Sequence, residues 1–275
     1  MSRKHTEASK KFHDRVAARY DRIYDEPYWD FHDRVTWAHA RPLLPSDTSL
    51  PALDLGCGTG KWGLRLLKAG YPTTFVDLAP KMLEQVQEKL DAWAGQPDLA
   101  GKAARASLLA ADATDLRALP AAHFAYALAM GDVISICGDP GQALAELHRV
   151  LRPGGVLVFT VDNRLAALDH FVPGGNLDAL EAFVKTGQTH WLTRDQHERF
   201  DVRMFMPEQI DALVKARGFE PISRIGKTVL PARASRRFFE GPRAVERLVE
   251  LEQLLARDPA SLGRASHLQL AVRRT

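Results

Sequence analysis

A doubly wound α/β fold with a mainly parallel sheet is what the sequence predicts, and three observations predict it. Short apolar runs alternate with amphipathic helical stretches between residues 51 and 161, the rhythm of strands covered by helices on both faces. A glycine turn, Gly56–Gly60, stands between the first of these strands and the helix after it. An aspartate, Asp77, closes the second strand, at the edge where open α/β sheets bind their ligands.

The elements follow in order. Met1–Lys11 is polar and charged, without the apolar centre of a secretory signal. Phe12, Val16, Tyr20 and Tyr24 recur every four residues and share one helical face. A second amphipathic stretch runs from Trp29 to Leu44 and stops in a proline-containing segment. Pro51–Leu55 reads as a buried strand, and Lys61–Ala69 as a helix stopped by Gly70. Thr73–Val76, Ser107–Ala111 and Phe124–Met130 read as strands, with helices over Pro80–Ala92 and Pro140–Leu151. Arg152–Gly155 reads as a turn before a strand at Val156–Val161. The rhythm then breaks over 163–206, a long polar and aromatic stretch of the kind that forms an inserted cap. It resumes with a helix at Pro207–Arg217, a strand at Phe219–Gly226, a helix at Pro242–Ala256 and a last strand at His267–Arg273. Residues 1–48 thus read as an N-terminal helical lid, and 49–275 as the main domain carrying the cap at 163–206.

Composition narrows the function classes. Hydrophobic residues make up 45% and charged residues 26%, an ordinary globular balance. A net charge of +3 gives no bulk attraction to nucleic acid or membrane. Arg233, Arg236, Arg237, Arg243 and Arg247 cluster, as a solvated face or as a dock for an anionic group. Two cysteines, Cys57 and Cys137, are too few for a disulfide scaffold. The longest apolar stretch, Phe124–Cys137, is too short to span a bilayer. A reducing cytoplasm is the expected setting.

The segment Leu53–Gly60 carries the strongest chemical signal. Strand, glycine turn and helix follow in the order a nucleotide site needs, because glycines let backbone amides approach a ligand. Asp77 follows Gly56 by 21 positions, where a carboxylate can accept both hydroxyls of a ribose. Two cofactors compete. Gly58, Gly60 and Gly63 spell the dinucleotide pattern, but Asp54 would repel a diphosphate. S-adenosylmethionine carries an ammonium and a sulfonium, which favour an acidic neighbour.

The segment Asp54–Gly60 resembles the first motif of the class I S-adenosylmethionine-dependent methyltransferase family. Val76–Leu83 resembles its second-strand motif, Ala111–Leu116 its third-strand motif, and Leu147–Gly155 the turn before its fifth strand. The match is strong over residues 50–161. It implies a Rossmann-like, seven-stranded sheet with the last strand antiparallel. It also implies that Gly56, Gly58 and Gly60 line the methionine part and that Asp54 holds its ammonium, directly or through water. Asp77 would hold the ribose and Leu78 the adenine face. Asp112 and the Ala113 amide would address the adenine edge, and Met130 and Gly131 would border the sulfonium. Tyr20 would close over the cofactor with the N-terminal helix. The chain departs from the family at Phe124-Ala125, where Phe-Asp is common, and it lacks the Asn-Pro-Pro-aromatic motif of base-amino methylation.

The reaction this implies is methyl transfer to an O, N or S nucleophile of a small molecule, with no nucleic-acid or membrane partner. Methylation of a protein or RNA, and cofactor binding without transfer, are the rival readings. The sequence leaves oligomeric state and acceptor open. Acceptor choice is expected to lie in the cap, with Trp191 and Phe200. His190 or His197, with Asp195 between them, is a candidate base for an acceptor that must lose a proton; the alternative is that both are solvated. His13, His32, His39 and His148 fall in helical stretches and read as packed or solvated. No His/Cys/Asp cluster has a zinc spacing, and no nucleophile elbow is present.

Overall fold

The computed structural model describes residues 3–191 and 199–275. The chain opens with α1 (Arg3–Val16), α2 (Tyr20–Ile23) and α3 (Pro27–Ala40). Then follow β1 (Ala52–Leu55), α4 (Lys61–Ala69), β2 (Thr73–Asp77), α5 (Pro80–Ala94), α6 (Pro97–Ala103) and β3 (Ala106–Ala110). Next come β4 (Phe124–Ala129), α7 (Val133–Ile136), α8 (Pro140–Val150) and β5 (Leu151–Asp162). After β5 the chain forms α9 (Leu177–Thr186) and a hairpin of β6 (Gln188–His190) and β7 (Asp201–Arg203). It ends with α10 (Pro207–Ala216), β8 (Phe219–Lys227), α11 (Ala244–Ala256) and β9 (His267–Arg274).

Seven strands form one sheet in the order β3-β2-β1-β4-β5-β9-β8. The first five are mutually parallel. β9 inserts antiparallel between β5 and β8. The sheet reverses its winding between β1 and β4, so the carboxyl ends of those strands open onto one crevice. β1 and β4 are buried along their whole length, as strands covered on both faces must be, and their apolar runs are continuous for that reason.

Local chemistry explains the boundaries. Gly70 ends α4 at φ +104°, a conformation that spares glycine a side-chain clash, and its N–H bonds Leu66 and Leu67 carbonyls. The Asp139 and Asn176 side chains cap α8 and α9 by accepting from Gln142 and Ala179 N–H. The Arg152–Gly155 turn exists as a bulge inside β5: Leu151 pairs with Phe124, and the next registered pair is Val156 with Tyr126. The sequence reading missed α6, α7 and the β6–β7 hairpin. Helices of four and seven residues leave too short an apolar period to detect.

The chain from 163 to 206 leaves from the carboxyl end of β5 and is tied down at its root. Asn163, 1% exposed, donates to the Leu262 and Ala265 carbonyls at 2.6 and 2.7 Å. The Arg164 guanidinium reaches Met204 and Val184 carbonyls and Gln209 Oε1. Phe183, Phe200, Val202 and Met204 bury themselves here against Ala8 and Phe12 of α1. The N-terminal helices and this segment therefore pack together over the carboxyl ends of the strands. No helix of the described residues is long and apolar enough to cross a membrane.

Candidate functional site

A cleft of about 710 Å³ lies over the ends of β1 to β4. Its floor is Leu55, Gly56 and Gly58 from the first turn; Asp77 and Leu78, Asp112 and Ala113, and Met130 and Gly131 form its walls. Ser9, His13 and Tyr20 of the N-terminal helices close it. Gly56 sits at φ +65°, and a Cβ there would fall 2.3 Å from Val133 Cγ2. Asp77 accepts from Gly58 N–H at 2.8 Å and Ala79 N–H at 2.9 Å, which locks the turn to the second strand. Burial pushes its pKa up. Asp112 binds Thr114 N–H and Oγ1 through Oδ1.

Two residues expected to line the cleft lie behind its surface instead. Asp54, 1% exposed, sits under the glycine turn and accepts from Gly63 N–H at 2.7 Å through Oδ2. Its Oδ1 is buried without a partner, and burial pushes its pKa up to about 7. Gly60, at φ +88°, caps α4 and lets it pack on α5: a Cβ would meet Val86 Cγ2 at 3.1 Å. An unpartnered buried acceptor beneath a floor of backbone amides fits a cofactor that brings positive charge.

A second chamber of about 1130 Å³ shares the wall Gly56, Gly58, Tyr20, Met130 and Gly131 with the first. Its other sides are aromatic: Tyr24, Trp29, Trp62, Trp191 and Phe200. Tyr24 contacts Tyr20 and Trp29 at ring distances of 4.8 and 4.7 Å, and Trp191 stacks on Phe200 at 5.5 Å. Phe200 also meets Phe12 at 5.4 Å, joining the inserted segment to α1.

The chamber's end is ionisable, and nothing in the sequence signals it. The register of the antiparallel strands sets Asp162, His267 and Lys227 side by side across β5, β9 and β8. Asp132, in the loop after β4, completes the group: its Oδ2 lies 3.1 Å from His267 Nδ1, while Asp162 Oδ1 is 3.7 Å from the same nitrogen. Burial works to raise Asp132, but the nearby charges of His267 and Lys227 hold it below the usual carboxylate range. Burial and the Asp132 charge push Asp162 up to about 7. Burial opposes the charge on His267, yet Asp132 and Asp162 lift its pKa above the ordinary imidazole value. Burial pulls Lys227 down. The donor atoms of Asp132, Asp162 and His267 lie within 4.8 Å of one another. With Lys227 beside them, the four groups are charge-compensated when fully ionised.

His32 faces this group at 5.9 Å from the His267 ring, and burial with Lys227 lowers its pKa to about 3, so it is neutral. Asp33 pairs with Lys61 at 2.7 Å. His13 and His32 therefore line cavities rather than merely packing in helices. His190 is on the hairpin, two-thirds exposed, with Nδ1 2.8 Å from Asp201 Oδ1; it lines neither cavity. His197 and Asp195 lie outside the described residues. Cys57 and Cys137 are free and buried, and burial raises both thiols, Cys137 to about 12. They are inert at neutral pH.

The reversed sheet, the glycine turn locked by Asp77 and the paired cavities define one class. Residues 52–155 match a family model described as a methyltransferase domain. The match and the fold mark residues 52–155 as a methyltransferase domain, on a fold shared with S-adenosylmethionine-dependent methyltransferases. The chain's similarity extends to malonyl-[acyl-carrier protein] O-methyltransferases. That of Pseudescherichia vulneris is 38% identical over 149 residues, 53% of this chain and 52% of the relative. That of Herminiimonas arsenicoxydans is 30% identical over 213 residues, 76% of this chain and 65% of the relative. The chain spans about half the length of the first of the curated relatives it matches. Among solved structures, an S-adenosylmethionine-dependent methyltransferase from Mesorhizobium loti superposes with a TM-score of 0.56 at 18% identity, over 87% of this chain and 98% of that one.

Proposed function

We propose that this chain transfers the methyl group of S-adenosylmethionine to an oxygen of a small organic acceptor held in the aromatic chamber. The observation that carries the reading is the wall the two cavities share. A cofactor in the first cleft would have its sulfonium end at Met130 and Gly131, which also border the second chamber. Asp77 would take the ribose hydroxyls, Asp112 and the Ala113 amide the adenine edge, and Leu78 the adenine face. Asp54 would act on the ammonium from beneath the turn. Bound there, the cofactor supplies an electrophilic methyl carbon. The protein's contribution is alignment and exclusion of water, which suits a direct displacement. Tyr20, on the wall the two cavities share, and the segment from 163 to 206 would seal the two ligands from solvent and set acceptor choice. Oxygen is favoured because the curated relatives are named O-methyltransferases. The two buried, unpaired thiols favour a reducing compartment such as the cytoplasm.

A second reading, an acceptor tethered to a carrier protein, has its own support. Arg233 lies over the Tyr28 and Trp29 rings at 5.5 and 5.4 Å, and Trp29 lines the chamber. The neighbouring exposed Arg236 and Arg237 extend a basic surface from that edge, suited to an acidic partner. Calorimetry with S-adenosylmethionine tests the first step. Asp77→Ala should weaken binding at least tenfold, since charge-assisted hydrogen bonds of about 2–4 kcal/mol are lost. Preferential binding of NAD, or unchanged affinity in a folded Asp77→Ala protein, overturns the reading. Labelled methyl groups recovered on carrier protein and absent from free metabolites would select the second version.

A further inference from the structure

We propose that His267 and Asp132 form a proton-accepting dyad for a weakly acidic hydroxyl, a phenol or enol. The inference deepens the methyl-transfer reading and rests on it. Three observations on the ring of His267 carry it. Nδ1 is buried and lies 3.1 Å from Asp132 Oδ2, an ion-pair contact outside hydrogen-bond alignment. The ring is nevertheless 21% exposed and lines the aromatic chamber. Nε2 is not among the buried unpartnered atoms and has no hydrogen-bond partner among the described residues, so the exposed edge of the ring carries it. A carboxylate on one ring nitrogen and a free second nitrogen facing a ligand cavity is the arrangement of an oriented general base.

The acceptor class follows from the surroundings. Trp29, Trp62, Trp191 and Phe200 favour a planar ring. A carboxylate acceptor is already ionised at neutral pH and needs no base, so the dyad would have no work to do on it. A phenol or enol needs one. The O–H bond breaks, its proton goes to Nε2, and its electron pair stays on oxygen as the nucleophile for the methyl carbon. Nδ1 keeps its own proton beside the ionised Asp132, and the Nε2 proton leaves to solvent after the methyl transfer. Asp132 and Asp162 favour the imidazolium, Lys227 opposes it, and His32 is neutral; Asp33 and Lys61 pair with each other beyond Lys227. Because the carboxylates win, the base titrates above the ordinary imidazole value of about 6.5.

The test uses the full chain saturated with S-adenosylhomocysteine, so that no turnover is needed, and 4-nitrophenol and 4-nitrocatechol as probes. Their phenolates are yellow and their phenols nearly colourless. Bound probe should ionise about one pH unit or more below free probe, because proton transfer to His267 leaves an imidazolium beside the anion. His267→Asn should abolish that shift while S-adenosylhomocysteine affinity, measured by calorimetry, stays within about threefold, showing an intact fold and cofactor cleft. Asp132→Asn should reduce the shift and move the titration to lower pH, the signature of a positioning residue that raises its partner's pKa. Three results overturn the proposal: neither probe binds, bound probe ionises like free probe in the wild type, or His267→Asn leaves the shift intact. A shift that appears only with added Mg²⁺ and vanishes with EDTA assigns the role to a cation and also overturns it. If S-adenosylhomocysteine itself fails to bind the wild type, the methyl-transfer reading fails instead.

Discussion

Replacing Asp54 with asparagine should make the free protein more stable above neutral pH and the cofactor complex weaker, two effects of opposite sign from one buried charge. The carboxylate is 1% exposed, has one partner, Gly63 N–H, and leaves Oδ1 unpaired. Its pKa rises from 3.8 to about 7, some three units, or about 4 kcal/mol against the charged form. The folded protein holds this proton more tightly than the unfolded chain. Stability therefore falls as pH rises from about 4 towards 7 and carries the full penalty above that. Asparagine keeps the acceptor for Gly63 but places an amide N–H₂ where Oδ1 has no partner, which costs about 1–3 kcal/mol. The net gain at pH 8 is about 1–3 kcal/mol, or about 2–4 °C in Tm per kcal/mol for a chain of this size. Near pH 5 the wild-type carboxyl is itself neutral, and the gain disappears. The cofactor's ammonium and sulfonium would both be attracted by the Asp54 carboxylate beneath the turn, so losing the charge weakens binding of a ligand that carries two positive charges more than of one that carries one. S-adenosylmethionine should lose at least tenfold in affinity, and S-adenosylhomocysteine, without the sulfonium, less. Thermal melts at pH 5 and pH 8 and calorimetry with both ligands make the check. A lower Tm at pH 8, or identical losses for the two ligands, refutes the reasoning.

Gly56→Ala should cost stability and cofactor affinity together, because its Cβ would sit 2.3 Å from Val133 Cγ2 at a φ of +65°; strain of about 1–3 kcal/mol is expected from the backbone alone. A melt and a binding isotherm unchanged from wild type would contradict the close packing of α7 on the glycine turn. Phe200→Ala removes the stack on Trp191 and the contact with Phe12. It should lower turnover or change acceptor preference while S-adenosylmethionine affinity stays within about threefold, since Phe200 lines only the second chamber; loss of cofactor affinity with acceptor preference intact would reverse the assignment.

What was legible in the sequence was what a local pattern encodes. β1 and β4 are covered on both faces, so their apolar runs are unbroken and stand out. The glycine turn and Asp77 lie at the ends of consecutive strands and carry a spacing that a nucleoside site imposes. Asp54 was legible as an acid beside that turn, but not as one beneath it: the same residue type serves a lining carboxylate and a buried one, and only packing tells them apart. The second chamber was illegible for a stronger reason. Its ionisable end gathers His32 from α3, Asp132 after β4, Asp162 of β5, Lys227 of β8 and His267 of β9. Each of these alone looks like an ordinary packed or solvated residue. They meet because β9 runs back between β5 and β8, a register that pairs His267 with Asp162 on one side and Lys227 on the other. The histidines of the inserted segment attract attention because they cluster in sequence. The histidine with an oriented Nδ1 and an open Nε2 lies at the start of the last strand, where only the sheet's topology reveals its neighbours.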